Sequence, residues 1–279
     1  MQQQRYKHLM KNIRIDYYTG TGGTELSARL LANKLRSSDY HVEENRIYRD
    51  KISGIQKLET DYYILFFPVH SFNAPKPIYE WVKHLEGNQC KTAVISVSGG
   101  GDVLSNSACR CKTVKFLKKS NFNVIYQQMI QMPNNWMKAP DQKRCTAILS
   151  HLPSKIDQIS QAVISEKREK PTIYWIDYLI SALGEAEKRG TKKFGCGIKV
   201  LHCCTGCGLC TRNCCSSNIQ LEPQTSTDAH PKPKFGNRCD MCLGCIYNCP
   251  QKALTPTWGA FQIDKKGYNL GILKKDIPF

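Results

Sequence analysis

The chain has 279 residues, 41% of them apolar, with fifteen cysteines and a formal net charge of +17. This length allows one large domain or two modest ones, and no apolar run is long enough to predict a membrane-spanning helix. The first residues contain no apolar stretch of the kind that starts a secretory signal. We therefore expect a cytoplasmic protein whose many cysteines are reduced and bind metal instead of forming disulfides.

The first predicted element is a strand, because residues 13–18 alternate apolar and polar side chains. It leads into the Gly/Thr loop Thr19–Thr24, and leucines at helical spacing follow that loop. A strand, such a loop and a helix together form a common phosphate site, in which backbone N–H groups meet an anion at the helix N-terminus. The loop has neither the lysine of a Walker A motif nor the glycine spacing of a dinucleotide fingerprint.

Four more strands are predicted along the next hundred residues: His41–Tyr48, Asp61–Phe67, Thr92–Val97 and Asn123–Met129. Helical patterns over 78–86 and about 105–119 separate the later ones. Strands that alternate with helices predict an α/β fold with a doubly wound parallel sheet. Two further loops, at 68–74 and 98–102, follow predicted strands and are rich in Pro, Ser, Gly or Asn.

The Gly/Thr loop resembles the phosphate loop of flavodoxins, Ser/Thr-x-Thr-Gly-x-Thr, at Thr19, Thr21, Gly22 and Thr24. The resemblance implies a five-stranded sheet in the order 2-1-3-4-5, with FMN bound where the three loops meet. The implied FMN-binding residues are Thr19, Gly20, Thr21, Gly22, Gly23, Thr24, Pro68, His70, Phe72, Asn73, Ser98, Gly99, Gly100 and Gly101. Phe72 is the candidate for stacking on the flavin, and the 98–102 loop offers no second aromatic ring.

Residues 130–154 are polar and interrupted by prolines, so we expect them to form an irregular cap over the fifth strand. Trp136 and Met132 could reach the flavin from this segment, although core packing is the more common role for such residues. Apolar spacing predicts two helices over 154–190, the second beginning near Pro171. Glycines around 190–197 predict a looser stretch before the cysteines.

Two runs of C-x2-C-x2-C-x3-C dominate the C-terminal part of the chain. In this spacing three thiolates wrap one iron–sulfur cube and the fourth reaches the other cube. One [4Fe–4S] cluster is therefore assigned to Cys204, Cys207, Cys210 and Cys249, and the other to Cys239, Cys242, Cys245 and Cys214. We expect residues 215–238 to form an irregular insert, and those after Pro250 to form a terminal strand or to wrap against the sheet.

A zinc site and disulfides are the other roles that these cysteines could have. A zinc site needs only four ligands and leaves cysteines of each run unused, while disulfides need an oxidising compartment. Cys203 and Cys215 flank the first run, so a slipped register that uses one of them is possible, although it breaks the spacing. Buried or inert thiols are expected at the five remaining positions, Cys90, Cys109, Cys111, Cys145 and Cys196.

The cysteine runs resemble bacterial two-cluster ferredoxins, and the whole chain resembles flavodoxin–ferredoxin fusions of anaerobic bacteria. The resemblance implies a flavodoxin-like domain over 1–153, a helical connector over 154–195 and an α+β ferredoxin-like domain over 196–279. It implies an electron carrier that links two clusters, FMN and a redox partner, which the basic charge suggests is acidic. An iron–sulfur flavoprotein reductase for a small molecule is the alternative. Nucleic-acid binding is a weak third possibility, because the lysines are scattered.

Overall fold

A computed structural model of the protein describes residues 11–101, 103–137, 140–223, 230–264, 267–268 and 270. Five parallel strands form its central sheet, in the spatial order β2-β1-β4-β6-β7. They are β1 (Asn12–Tyr17), β2 (His41–Arg46), β4 (Tyr62–Pro68), β6 (Lys91–Ser98) and β7 (Asn123–Gln131). Each lies within two residues of its predicted bounds. The predicted fold class and strand order are confirmed, because the order corresponds to 2-1-3-4-5 when these five strands alone are counted.

Helices cover both faces of the sheet, and each face has its own apolar core. The helices of the chain are α1 (Gly23–Arg36), α2 (Lys76–Lys83), α3 (Cys111–Lys119), α4 (Gln142–Ser150), α5 (Leu152–Ile164), α6 (Trp175–Glu187), α7 (Thr191–Cys196), α8 (Leu209–Arg212) and α9 (Gly244–Tyr247). Leucines and isoleucines of α1, α4 and α5 pack on one face, and those of α2 and α3 pack on the other. The sheet is therefore doubly wound, with buried strands that are apolar on both sides.

Three sequence predictions between the sheet and the cysteines were wrong. The segment 130–154 contains α4, whose first turn is capped by the Asp141 carboxylate accepting from the Arg144 backbone N–H at 2.8 Å. The last predicted helix begins at Trp175 and not near Pro171, because Asp177 accepts a hydrogen bond from the Tyr174 N–H there. The stretch after Gly190 is not loose but helical, as α7.

The C-terminal part is built from short elements around the cysteines. Two antiparallel ribbons pair β8 (Ile198–Val200) with β11 (Leu254–Pro256), and β9 (Ile219–Glu222) with β10 (Lys232–Phe235). A parallel two-stranded ribbon, β3 (Gln56–Lys57) with β5 (Leu85–Glu86), lies beside the central sheet. The domain boundaries after residues 153 and 195 stay predictions; α5 itself packs on the sheet.

Some predictions fall on residues that the structure does not describe, among them residues 1–10, part of the insert at 224–229, and most of the chain beyond residue 264. Where the last segment is described, Tyr268 is buried in a sheet core and donates its hydroxyl to the Pro133 carbonyl at 3.2 Å. No helix in the described part of the chain combines the length and the apolar character needed to cross a bilayer.

A buried carboxylate, Asp16, connects the strands beneath the loops. Its oxygens accept hydrogen bonds from the Arg14 guanidinium (2.8 Å), the Asn45 amide (3.3 Å), the Tyr63 hydroxyl (2.9 Å) and the Trp81 indole N–H (2.8 Å). These donors come from β1, β2, β4 and α2. The sequence of β1 alternates apolar and polar side chains, and the structure buries both faces of the strand from Ile13 to Tyr17. Four donors satisfy the carboxylate and offset the cost of its burial.

Replacing this carboxylate should therefore destabilise the protein strongly. We expect Asp16→Ala to lower the free energy of unfolding by about 3–5 kcal/mol, because it leaves the Arg14 charge buried without its partner. Asp61→Ala is the matched control. Asp61 is exposed and accepts one hydrogen bond from the Asn12 N–H at 2.7 Å, so its loss should cost about 1 kcal/mol or less. Urea unfolding of both variants measures this difference, and equal losses would contradict the role assigned to Asp16.

Candidate functional site

A cleft of about 970 Å³ opens at the carboxyl ends of the parallel strands. Loops that follow β1, β4 and β6 line it, as expected for a doubly wound sheet. The lining includes these residues of the predicted FMN site: Thr19, Gly20, Thr21, Gly23, Thr24, Pro68, His70, Phe72, Ser98, Gly99 and Gly100. The structure thus brings the three predicted loops together around one cavity.

The other three predicted residues lie outside the lining. Gly22 precedes α1 with a φ of 95°, and Gly101 has a φ of 68°, so each provides a left-handed turn that favours glycine. The buried Asn73 amide donates to the Ser181 carbonyl at 2.7 Å, and its oxygen accepts from the Ser181 hydroxyl at 2.6 Å. Asn73 therefore anchors its loop to α6 instead of facing the cleft.

The Gly/Thr loop presents the N-terminus of α1 to the cleft. The Thr19 hydroxyl accepts from the Gly22 N–H at 3.1 Å and thereby fixes the turn. No side chain caps α1, so the first-turn N–H groups have no side-chain acceptor. The Thr21 hydroxyl accepts from the Asn135 amide at 2.7 Å, which ties the loop to the segment after β7. Such a helix terminus can bind an anion through backbone N–H groups.

The two remaining loops carry the aromatic and small residues of the cleft. His70 and Asn73 exchange backbone hydrogen bonds, which hold Phe72 at the tip of a tight turn where its ring is partly exposed. Gly99 lies so close to Asn134 that an added Cβ would be 2.2 Å from the Asn134 Cβ. Trp136, which is 46% exposed, also lines the cleft and supplies the aromatic ring that the 98–102 loop lacks. Trp136 and Met132, the two residues that the sequence suggested could reach the flavin from the segment after β7, both line the cleft.

The cysteine-rich part closes one side of the same cleft. Cys239, Asp240 and Cys242 line it together with the loops of the sheet. An added Cβ on Gly20 would lie 2.6 Å from the Cys242 Cβ, so only glycine fits there. No sequence pattern predicts that Cys239 and Cys242 border the cleft, because this contact joins segments that are more than 200 residues apart.

Hydrogen bonds fasten these two parts of the chain to each other. The Cys215 thiol donates to the Thr19 carbonyl at 3.0 Å, and the Arg46 guanidinium donates to the Cys215 sulfur at 3.4 Å. The hydroxyls of Tyr18 and Ser216 are 3.1 Å apart, and Ser216 also donates to the Asp240 carboxylate. Burial raises the pKa of Cys215, while the Arg46 charge opposes that rise. Cys215 is thus a buried structural thiol, a role that the sequence left open.

The first predicted ligand set converges on one small cavity. Cys204, Cys207, Cys210 and Cys249 all line it, although Cys249 lies about 40 residues further along the chain. The Ala253 N–H donates to the Cys249 sulfur at 3.4 Å. Cys203 is exposed, lies outside this lining, and donates to the Gln251 carbonyl at 3.6 Å.

The second predicted set lies beside the cleft. Burial raises the pKa of Cys239 to about 12 and that of Cys245 well above the usual range, and negative charge on Cys214 raises both further. Backbone N–H groups of Asn218 and Met241 each donate at 3.3 Å, to the Cys214 and Cys239 sulfurs respectively. Such bonds favour the thiolate form.

No three His, Cys, Asp or Glu side chains in the described ranges form a group that could hold one metal ion. The five cysteines outside the two runs are distributed through the fold. Cys109 and Cys145 are buried, Cys90 and Cys111 are half-buried, and Cys196 is exposed.

Solved flavodoxins resemble the N-terminal half of the chain. A short-chain flavodoxin associated with a bacterial microcompartment is 12% identical with a TM-score of 0.40, and covers 56% of this chain and 99% of its own. The flavodoxin of Streptococcus pneumoniae TIGR4 is 14% identical with a TM-score of 0.38, and covers 56% of this chain and 99% of its own. A Fusobacterium nucleatum flavodoxin mutant bound to flavin mononucleotide is 13% identical with a TM-score of 0.40, and covers 58% of this chain and 99% of its own. No protein-family model and no curated protein matches the sequence.

These likenesses are too weak to carry an argument about function. The flavodoxin-like fold of the N-terminal half is established by the strand order of the chain itself.

The contact between Gly20 and Cys242 can be tested by adding one methyl group. We expect Gly20→Ala to lower the free energy of unfolding by about 1–3 kcal/mol, because its Cβ would overlap Cys242. Gly23→Ala is the control in the same loop. Its Cβ would be 3.7 Å from Met132, an ordinary contact, so we expect a change of less than about 1 kcal/mol. Thermal and urea unfolding measure the stability of both variants. A Gly20→Ala variant with the same free energy of unfolding as the parent would contradict the close packing of Gly20 against Cys242.

His70 should make stability depend on pH. Burial, and then the nearby Lys188 charge, lower its pKa to about 4. Since the folded-state pKa lies below the unfolded value of about 6.5, His70 binds its proton more readily in the unfolded chain. Stability present above pH 6.5 is therefore lost as the pH falls toward 4, by about 2 kcal/mol at pH 5. His70→Gln should lose less stability than the parent protein between pH 7 and pH 5, and identical losses in urea unfolding would refute this.

Proposed function

We propose that the protein transfers low-potential electrons between two [4Fe–4S] clusters and FMN, and from there to or from a redox partner. FMN would be held by the predicted loops, and the clusters by the two crossed cysteine sets. A bound cluster carries single electrons, whereas a flavin accepts one or two, so the protein would connect the two kinds of carrier. Retention of reduced thiols fits a cytoplasmic location.

The observation that carries this proposal is the shared wall of the cleft. Thr19 and Ser98 line it from the sheet, and Cys239 and Cys242 line it from the cysteine-rich part. A flavin bound by the first pair and a cluster bound by the second would be neighbours. Joining both sites in one chain replaces a bimolecular electron transfer with an intramolecular one.

The residues of the cleft fit an FMN molecule. Uncapped N–H groups at the start of α1 would bind its phosphate, with Thr21 and Thr24 beside them. Phe72 and Trp136, both partly exposed in the cleft, would flank the ring. These aromatic side chains and the short loop backbones would keep water from the flavin.

The cysteine sets fit two four-iron clusters better than two single ions. In a cube each thiolate binds a different iron atom, so its four ligands stand further apart than the ligands of one ion. This accounts for the lack of single-ion groups among the described residues. Four cysteines around one cavity, with Cys249 completing the set begun by Cys204, support the crossed assignment over a slipped register. Buried neutral thiols such as Cys239 would release protons when iron binds.

The redox partner would be acidic. Eight lysine or arginine side chains line the cleft, against four carboxylates, and the whole chain carries a formal charge of +17. Opposite charge on a partner would speed its encounter with this surface.

One feature favours the alternative, a reductase that acts on a small molecule. The cleft continues past the flavin loops along α2, where Tyr79, Glu80 and Phe116 line it. This extension offers space for a substrate. Steady reduction of a small oxidant by the flavin-loaded protein, without any protein partner, would favour the reductase over the carrier.

Cofactor analysis tests the main proposal. Anaerobically purified protein should contain about eight iron atoms, eight sulfides and one FMN per chain. We expect Cys207→Ser to lose about half of the iron and sulfide, because it removes a ligand of one cube. Cys203→Ser, four residues away, should lose none. A colourless protein that contains zinc would overturn the proposal, and iron loss in Cys203→Ser would establish a slipped register in which Cys203 is a ligand.

A further inference from the structure

One face of α6 is apolar and stays largely exposed in the part of the chain that the structure describes. Trp175 is 74% exposed and Leu183 is 71% exposed, and neighbouring large apolar side chains are exposed by more than a third. The set, called here the α6 face, consists of Tyr174, Trp175, Ile176, Tyr178, Leu179 and Leu183. The opposite side of the helix is packed: Asp177 and Gly184 are buried.

The α6 face is continuous along the helix. Trp175, Leu179 and Leu183 are spaced by four residues, which puts them in one row over more than two turns. Together the six side chains expose roughly 600–700 Å² of mainly apolar surface, taking about 200 Å² for an aromatic side chain. A monomeric protein rarely leaves so large a contiguous apolar patch in water.

The chemistry of the face distinguishes between possible occupants. Electron-transfer complexes are typically small and polar, and an acidic carrier needs basic residues to pair with. The α6 face contains no charged side chain. On this helix Asp177 faces inward, and Glu185 binds Lys112 and Lys188 at 3.0 and 2.8 Å. The exposed Glu187 lies one turn beyond Leu183, at the C-terminal end of the row. An uncharged face of this kind matches a permanent interface between identical subunits.

The size of the face also fits a second copy of this chain. A standard interface buries about 800 Å² on each partner, and the six side chains supply most of that area before their neighbours are counted. A two-fold axis would bring Trp175 of one copy toward Leu183 of the other, since the row is apolar at both ends.

We propose that two copies of the protein form a dimer through their α6 faces, packed against each other about a two-fold axis. The inference does not depend on the proposed electron transfer. It gives a further role to α6, which already anchors the Phe72 loop through Asn73 and Ser181.

Sedimentation velocity of the full-length protein across a wide range of concentrations tests this proposal. The parent protein should sediment with twice the mass of one chain. Trp175→Glu and Leu183→Glu should each raise the dimer dissociation constant by about 100-fold or more, because each places a charge in the apolar interface. Both side chains are mostly exposed in the monomer, so circular dichroism spectra should match those of the parent.

Ile55→Glu is the matched control, since Ile55 is 78% exposed and lies outside the α6 face. It should remain dimeric. The thermal midpoint of the parent should rise with concentration, and that of Leu183→Glu should not. A parent protein that is monomeric at all concentrations would overturn the proposal, as would dimers that survive both α6 substitutions or are lost in Ile55→Glu.

Discussion

The packing of the Gly/Thr loop against the cysteine-rich segments is the contact on which both candidate sites depend. Gly20 has no side chain, and this lets Cys242 approach its backbone. Beside it, Thr19 accepts a hydrogen bond from Cys215, and Tyr18 meets Ser216. Three successive residues at the end of β1 therefore hold the C-terminal part in place. The Tyr18 backbone N–H donates to the Phe66 carbonyl of β4 at 3.1 Å, which ties this segment to the sheet.

The sheet is suited to this role because a buried network of hydrogen bonds connects its strands. The Asp16 carboxylate unites donors from three strands and a helix directly below the loops that form the cleft. Such a network resists displacement, since moving one member leaves others buried without partners. The loops that would have to position a cofactor thus extend from the strands that this network connects. The more exposed elements, such as α6, lie at the border of the cleft.

The strands and their order could be predicted because buried parallel strands are long apolar runs separated by loops rich in Gly, Pro and Ser. The loops could be predicted as a group, since parallel topology brings the carboxyl ends of strands together. Helix α4 was not predicted because its residues are mostly polar. The Asp141 cap at its first turn was its local signal. The contact of Gly20 with Cys242 depends on tertiary packing, which no local pattern encodes.

Cys215, which directly follows the first cysteine run, has a consequence for how separable the two halves of the chain are. Because the Cys215 thiol is shared between the Thr19 carbonyl and the Arg46 guanidinium, excising the last quarter of the chain would strip partners from both. The glycine at position 20 would also face water where a cysteine now covers it. A fragment that retained only the sheet would therefore contain polar groups without their partners and an uncovered Gly20, and would not reproduce the sheet of the intact chain.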